Sequence, residues 1–171
     1  TRLIGIGRQA DRMGHVGGMQ VSLFDVSDLA APARLARFSL TAAVSDAEFD
    51  PHAFLYWPAA RLMVVPLQAT GVIAGSPVPA DGTAQPPGAP QSGALVLRIG
   101  SSGITRVGFV TQPDAASPAG YPGYAPIERS LIIGQTLWTI SAAGARASDL
   151  TTLRPQGWVA FGGPQDRHPP M

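Results

Sequence analysis

Ile127-Glu128-Arg129-Ser130-Leu131-Ile132-Ile133 runs into Gly134-Gln135, and Thr136-Leu137-Trp138-Thr139-Ile140-Ser141 follows. Ala142-Ala143 then lead into Gly144-Ala145-Arg146-Ala147-Ser148-Asp149-Leu150, and the stretch closes on Gly157-Trp158-Val159-Ala160-Phe161. Short apolar runs bounded by Gly, Pro, Asp or Ser read as strands. The stretch is therefore four strands: Ile127–Ile133, Thr136–Ser141, Ala145–Leu150 and Gly157–Phe161. Working outward, the same order recurs before it. His52–Trp57 meets the turn Pro58-Ala59-Ala60, then Leu62–Gln68, then Ala94–Ile99 opened by Gly93, then Thr105–Val110. Both third strands open on a glycine, and both fourth strands carry an aromatic, Phe109 or Trp158 with Phe161. Further upstream, Arg2–Arg8, Met19–Val26 and Arg34–Leu40 match the second, third and fourth members of such a set. The third strands end alike, in Asp25-Val26, Arg98-Ile99 and Asp149-Leu150.

A unit of about 50 residues built from four strands is the signature of a propeller blade. The expected fold is therefore all-β: a partial β-propeller of four-stranded antiparallel blades, one three-strand partial blade plus two full ones. Blades are expected at about 1–40, 52–110 and 127–161, with a disordered tail over 162–171. One helical alternative, Asp28–Phe38, is opposed by Pro32 inside it. A closed ring needs about four blades, and the sequence opens at Thr1 within an apolar run. Both lead to the expectation that Thr1 is a cut end and that 1–161 is the C-terminal portion of a longer propeller. Sheets at the two ends of such a piece would lack neighbours, so the segment alone is expected to self-associate.

Composition agrees with this reading. Hydrophobic residues make up 45% of the chain and charged residues 13%, which excludes a disordered polyelectrolyte. The 20 Gly and 17 Pro suit short strands and turns over long helices. A formal net charge of +1 favours neither nucleic acid nor an anionic membrane. No apolar run approaches the ~20 residues that span a bilayer. Without Cys there are no disulfides and no thiolate metal sites. All basic residues are Arg, and neither Lys nor Asn occurs, as a GC-rich coding bias would produce.

The chain resembles the secreted bacterial and archaeal proteins whose C-terminal β-propeller domain is distantly related to WD-type repeats. The likeness rests on Ile4-Gly5-Ile6-Gly7-Arg8, on Gln20-Val21-Ser22-Leu23-Phe24-Asp25-Val26-Ser27-Asp28, on His52-Ala53-Phe54-Leu55-Tyr56-Trp57, on Gly93-Ala94-Leu95-Val96-Leu97 and on Arg129-Ser130-Leu131-Ile132-Ile133-Gly134. It implies an extracellular or envelope location and further blades as partners in a longer parent chain. It brings no assigned catalytic residue. The chain departs from the pattern by a Pro/Gly/Ala-rich insertion at Gly71–Ser92.

Strand parity points to where function sits. In an antiparallel blade the second-to-third and the blade-to-blade connections leave from one face. Here those are long: Gln9–Gly18, Thr41–Pro51, Ala69–Gly93 and Thr111–Pro126. Long loops on a rigid scaffold are where binding resides. The candidates on that face are His15, Asp46, Glu48, Asp50, His52, Tyr121 and Tyr124. Asp46, Glu48, Asp50 and His52 recur at every second residue and would share one side of an extended segment. That set is also the one place where a divalent cation would find ligands, but an ordinary solvated acidic loop entering a strand is the simpler reading and the one expected here. Tyr121 and Tyr124 flank Pro122-Gly123 and offer contact area on a stiffened loop. Phe54, Tyr56, Trp57, Phe109, Trp138, Trp158 and Phe161 are expected in the seams between blades. Gly5-x-Gly7 lacks the third glycine of a dinucleotide fingerprint, and no Gly-x-Ser-x-Gly, zinc-protease or P-loop pattern occurs. The expected function is an extracellular or envelope-associated module binding protein or glycan through the long-loop face, with no cofactor, no metal and no catalytic residue. The alternative is an enzyme whose polar centre on the propeller axis is completed by other blades.

Overall fold

Leu62-Met63-Val64-Val65 and Ala94-Leu95-Val96-Leu97 are continuous apolar runs, which in a strand means burial on both faces. The computed structural model, which describes residues 1–70, 90–113 and 126–161, places both runs at the centre of three stacked antiparallel sheets. The first sheet is β1 (Arg2–Ala10), β2 (Val16–Asp25) and β3 (Ala33–Ser39), in that order. The second holds β4 (Ala43–Val44), β5 (Leu55–Trp57), β6 (Leu62–Thr70), β7 (Pro90–Ile99) and β8 (Ile104–Val110). The third runs β9 (Ile127–Ile133), β10 (Thr136–Ser141), β11 (Gly144–Asp149) and β12 (Pro155–Ala160). Ten of the eleven strands read from the sequence are present with small shifts at their ends. His52–Trp57 is a strand only over Leu55–Trp57, because Asp50 and Pro51 turn Pro51–Ala53 into a 3-10 turn. No α-helix occurs among the described residues. Asp28 closes a turn, accepting from Ala30 N at 2.9 Å, and the segment once open to a helix enters β3.

The side chains of β6 and β7 divide by parity between two cores. Met63, Val65 and Leu67 with Leu95, Leu97 and Ile99 face the first sheet, where they meet Met19, Val21 and Leu23 of β2. Leu62 and Val64 with Ala94 and Val96 face the third sheet, against Ile127, Leu137 and Leu150. Phe54, Tyr56 and Phe109 belong to the first core and Trp57 to the second. Trp138 instead shares the outward side of the third sheet with Ile140 and Leu131, and Phe161 is 48% exposed.

The seam between the second and third sheets is partly polar. Gln112, beyond the end of β8, is 6% exposed and inserts its amide into the third sheet. Its Nε2 donates to Thr139 O at 2.9 Å, and the Ser141 hydroxyl donates to its Oε1. Loss of such a buried amide strands its partners without water, so Gln112→Ala should lower unfolding free energy by about 1–3 kcal/mol. Urea unfolding checks this; an unchanged midpoint would show that the two sheets are not latched there.

The first strand of the second sheet is split. Ala43 and Val44 pair with Ala69 and Gln68 at one end of β6, and Leu55, Tyr56 and Trp57 pair with Val64, Met63 and Leu62 at the other. Pro66 lies opposite the gap. It lacks an N–H, and its carbonyl, which points to the interrupted side, accepts the Ser45 hydroxyl at 2.5 Å. A proline sits within a strand only where no neighbour needs its donor, and Pro66 meets that condition because the strand beside it is broken.

Three glycines occupy the same position in the three sheets. A Cβ on Gly93 would lie 2.5 Å from the Phe109 ring and 2.6 Å from Val110 O, and one on Gly144 would lie 2.6 Å from the Trp158 ring and 2.3 Å from Val159 O. At Gly18 the obstacle is Leu40 O, at 1.9 Å. In each sheet a glycine stands near the start of a strand because the end of the strand that follows fills the side-chain position.

Candidate binding face

The ten residues looped out of the split strand, Ser45 to Phe54, form two 3-10 turns, Asp46–Glu48 and Pro51–Ala53. This corrects the reading of Asp46, Glu48, Asp50 and His52 as one extended row. Ser45 opens the first turn with a reciprocal cap, its hydroxyl accepting from Ala47 N while the Glu48 side chain accepts from Ser45 N. Asp50 opens the second by accepting from His52 N at 2.8 Å, and Pro51 supplies the fixed φ of a first turn. These caps turn the alternating acids in different directions.

Each acid consequently has its own task. Glu48 has a side chain only 5% exposed and meets Arg8 Nε at 3.4 Å, tying the end of β1 to the second sheet. Asp50 Oδ2 meets Arg129 Nη2 at 2.8 Å, and its Oδ1 lies 3.1 Å from His52 Nδ1. Its carboxyl is held below the ordinary carboxylate range, chiefly by the hydrogen bond from His52 N, then by the His52 side chain and the Arg129 charge. Asp46 and Glu128 are exposed, and their carboxylates make no hydrogen bond or ion pair among the described residues. Phe49, between Asp46 and Asp50 in the sequence, is 84% exposed. Asp46, Phe49, Asp50, Glu128 and Arg129 together line an open pocket of about 360 Å³ between the looped segment and the start of β9.

Of the seven sequence candidates, Asp46 and Asp50 line this pocket and His52 stands beside Asp50. Glu48 lies behind it as a structural tie. His15 stays on its own turn, its Nδ1 2.8 Å from Asp11 Oδ2, with Asp11 Oδ1 also accepting from Met13 N and His15 N. Asp11 is lowered from the usual range first by that His15 side-chain contact. Tyr121 and Tyr124 lie outside the described residues. Phe49, Glu128, Arg129 and Arg8 are the residues that sequence reasoning did not place on this face. Among the described residues no three His, Asp or Glu side chains converge as a metal-ligand set.

Three antiparallel sheets of three, five and four strands, the five including one strand split in two and each sheet built from a consecutive stretch of chain, are the blades of a propeller. The family model described as Beta propeller domain matches residues 1–153, and the chain belongs to that family. No curated protein and no solved structure matches the chain.

Proposed function

We propose that this chain is a ligand-binding propeller module, acting at the cell envelope or outside the cell, and that Phe49 anchors its ligand. The observation that carries this is a large aromatic left 84% exposed on a segment whose backbone is fixed by two caps. A rigid apolar anchor rimmed by charge is the usual make-up of a binding hot spot. The rim holds Asp46, Asp50 and Glu128 against one guanidinium, Arg129, so its excess charge is negative. A basic side chain on a protein partner suits both the carboxylates and the ring face. The enzyme alternative draws no support from these groups: Asp50 is engaged by Arg129 and by the His52 backbone N–H, and among the described residues no His, Asp and Glu set converges there.

The test is a basic-peptide array and a glycan array probed with the wild-type chain and with Phe49→Ala. Binding to Lys- or Arg-bearing peptides should fall about tenfold or more in the variant, with an unchanged thermal midpoint. Binding that survives Phe49→Ala removes this face from the proposal, and selective glycan binding that is lost in it reassigns the partner.

A further inference from the structure

A second cleft, of about 420 Å³, opens between the first and second sheets at the end away from Phe49. Its walls include Leu23 and Ile99, both buried, with Tyr56 half-buried beside them, and its rim carries Arg2, Arg61 and Ser101. Arg2 is already committed: Nη1 meets Asp25 Oδ2 at 2.8 Å and Nε donates to Ser101 O at 3.2 Å. Arg98 braces the neighbouring turn through Ala60 O at 3.2 Å and is not part of the lining. Arg61 is exposed, and its guanidinium makes no hydrogen bond or ion pair among the described residues.

The backbone of Arg61 is the second observation. It sits at φ 53°, in the left-handed region that glycine occupies freely and L side chains do not. The geometry is fixed by the turn, since Arg61 N donates to Pro58 O at 3.1 Å and Arg61 O accepts from Ile99 N at 2.9 Å. Two other described non-glycine residues share that region, Ala42 and Leu153. Ala42 carries only a methyl, and the Leu153 side chain packs against Gly108. Of these three, Arg61 holds a long charged side chain there with no partner for it among the described residues. The turn needs a left-handed residue here, and glycine would meet that need without strain, so the arginine side chain is the part that the turn does not account for.

We propose that this cleft binds a small monocarboxylate with an apolar body, its carboxylate gripped by Arg61. A guanidinium takes a carboxylate through two parallel hydrogen bonds. The apolar body would lie over Ile4 and the Tyr56 ring, with the buried Ile99 behind them, as apolar pocket walls with few polar groups require. Arg61 is the guanidinium on the lining that no described carboxylate neutralises, which suits a single carboxylate, and Asp25 beside Arg2 repels a second.

The probes are 4-phenylbutyrate and its neutral amide, titrated into the whole chain by NMR. The acid should bind and the amide should bind about tenfold more weakly or worse. Arg61→Gly should lose acid binding by at least about tenfold and, relieved of strain, melt roughly 2–4 °C higher. Arg61→Gln should lose the binding with a midpoint within about 1 °C of wild type. Phe49→Ala should leave acid binding unchanged, which separates this cleft from the pocket on the other face. Equal binding of acid and amide, acid binding retained in Arg61→Gly, or a lower midpoint in that variant each overturns the proposal.

Discussion

Leu95→Ala should reduce the unfolding free energy by about 2–5 kcal/mol, a large share of what a domain of this size possesses. Leu95 is fully buried in β7, between β6 and β8 in the central sheet, and its side chain points into the core shared with the first sheet. Neither neighbour can collapse into the vacancy without dragging a ladder of hydrogen bonds along, so most of the cavity persists. Leu3→Ala makes the comparison, because Leu3 is 53% exposed on the outward side of the first sheet. That variant should change stability by about 0.5 kcal/mol or less. Denaturant unfolding followed by tryptophan fluorescence measures both. A loss below about 1 kcal/mol for Leu95→Ala would mean that the central sheet is not packed on both faces.

Gly18→Ala should be as damaging, by about 3 kcal/mol or more, because the added methyl meets a backbone carbonyl that cannot rotate away. Gly93→Ala and Gly144→Ala meet an aromatic ring and a carbonyl together, so they should fall in the same range. Gly7→Ala is the control: nothing lies within 4 Å of its Cβ position. It should leave the midpoint nearly where it was. Thermal melts of the four variants decide the matter. If Gly7→Ala proves as harmful as the other three, backbone flexibility rather than space is what these glycines supply.

These glycines also show what the sequence could reveal and what it could not. Gly93 and Gly144 are visible as a repeat because each opens an apolar third strand, and the strands themselves stand out by their period and their turn residues. Gly18 follows Gly17 in a stretch that reads as connection, and its equivalence emerges only once Leu40 O is seen against it. The binding face was harder to read. The alternation of Asp46, Glu48, Asp50 and His52 suggests a common side only if the backbone is extended. Yet Ser45 with Glu48, and Asp50 with Pro51, are capping combinations that turn it. Those caps were present in the sequence, and the alternation concealed them. Phe49 had no pattern to announce it, since a single aromatic between two acids resembles any partly buried loop residue. Pro66 carries the clearest signal: a proline inside an otherwise central strand requires a broken neighbour, and the broken neighbour carries the pocket.

The segment from Ser45 to Phe54 leaves the edge of β6 and rejoins that same edge a few residues along. Its two ends are therefore fixed by pairing that does not depend on what lies between them. Replacing its exposed residues, such as Phe49 and His52, while keeping Ser45 for Pro66, Glu48 for Arg8 and the packed Ala47, Ala53 and Phe54, would change the surface there and leave the register of every strand intact. In evolutionary terms the segment is a cassette. Its exposed positions can vary without renegotiating the core, and an engineer can graft between the same two joints.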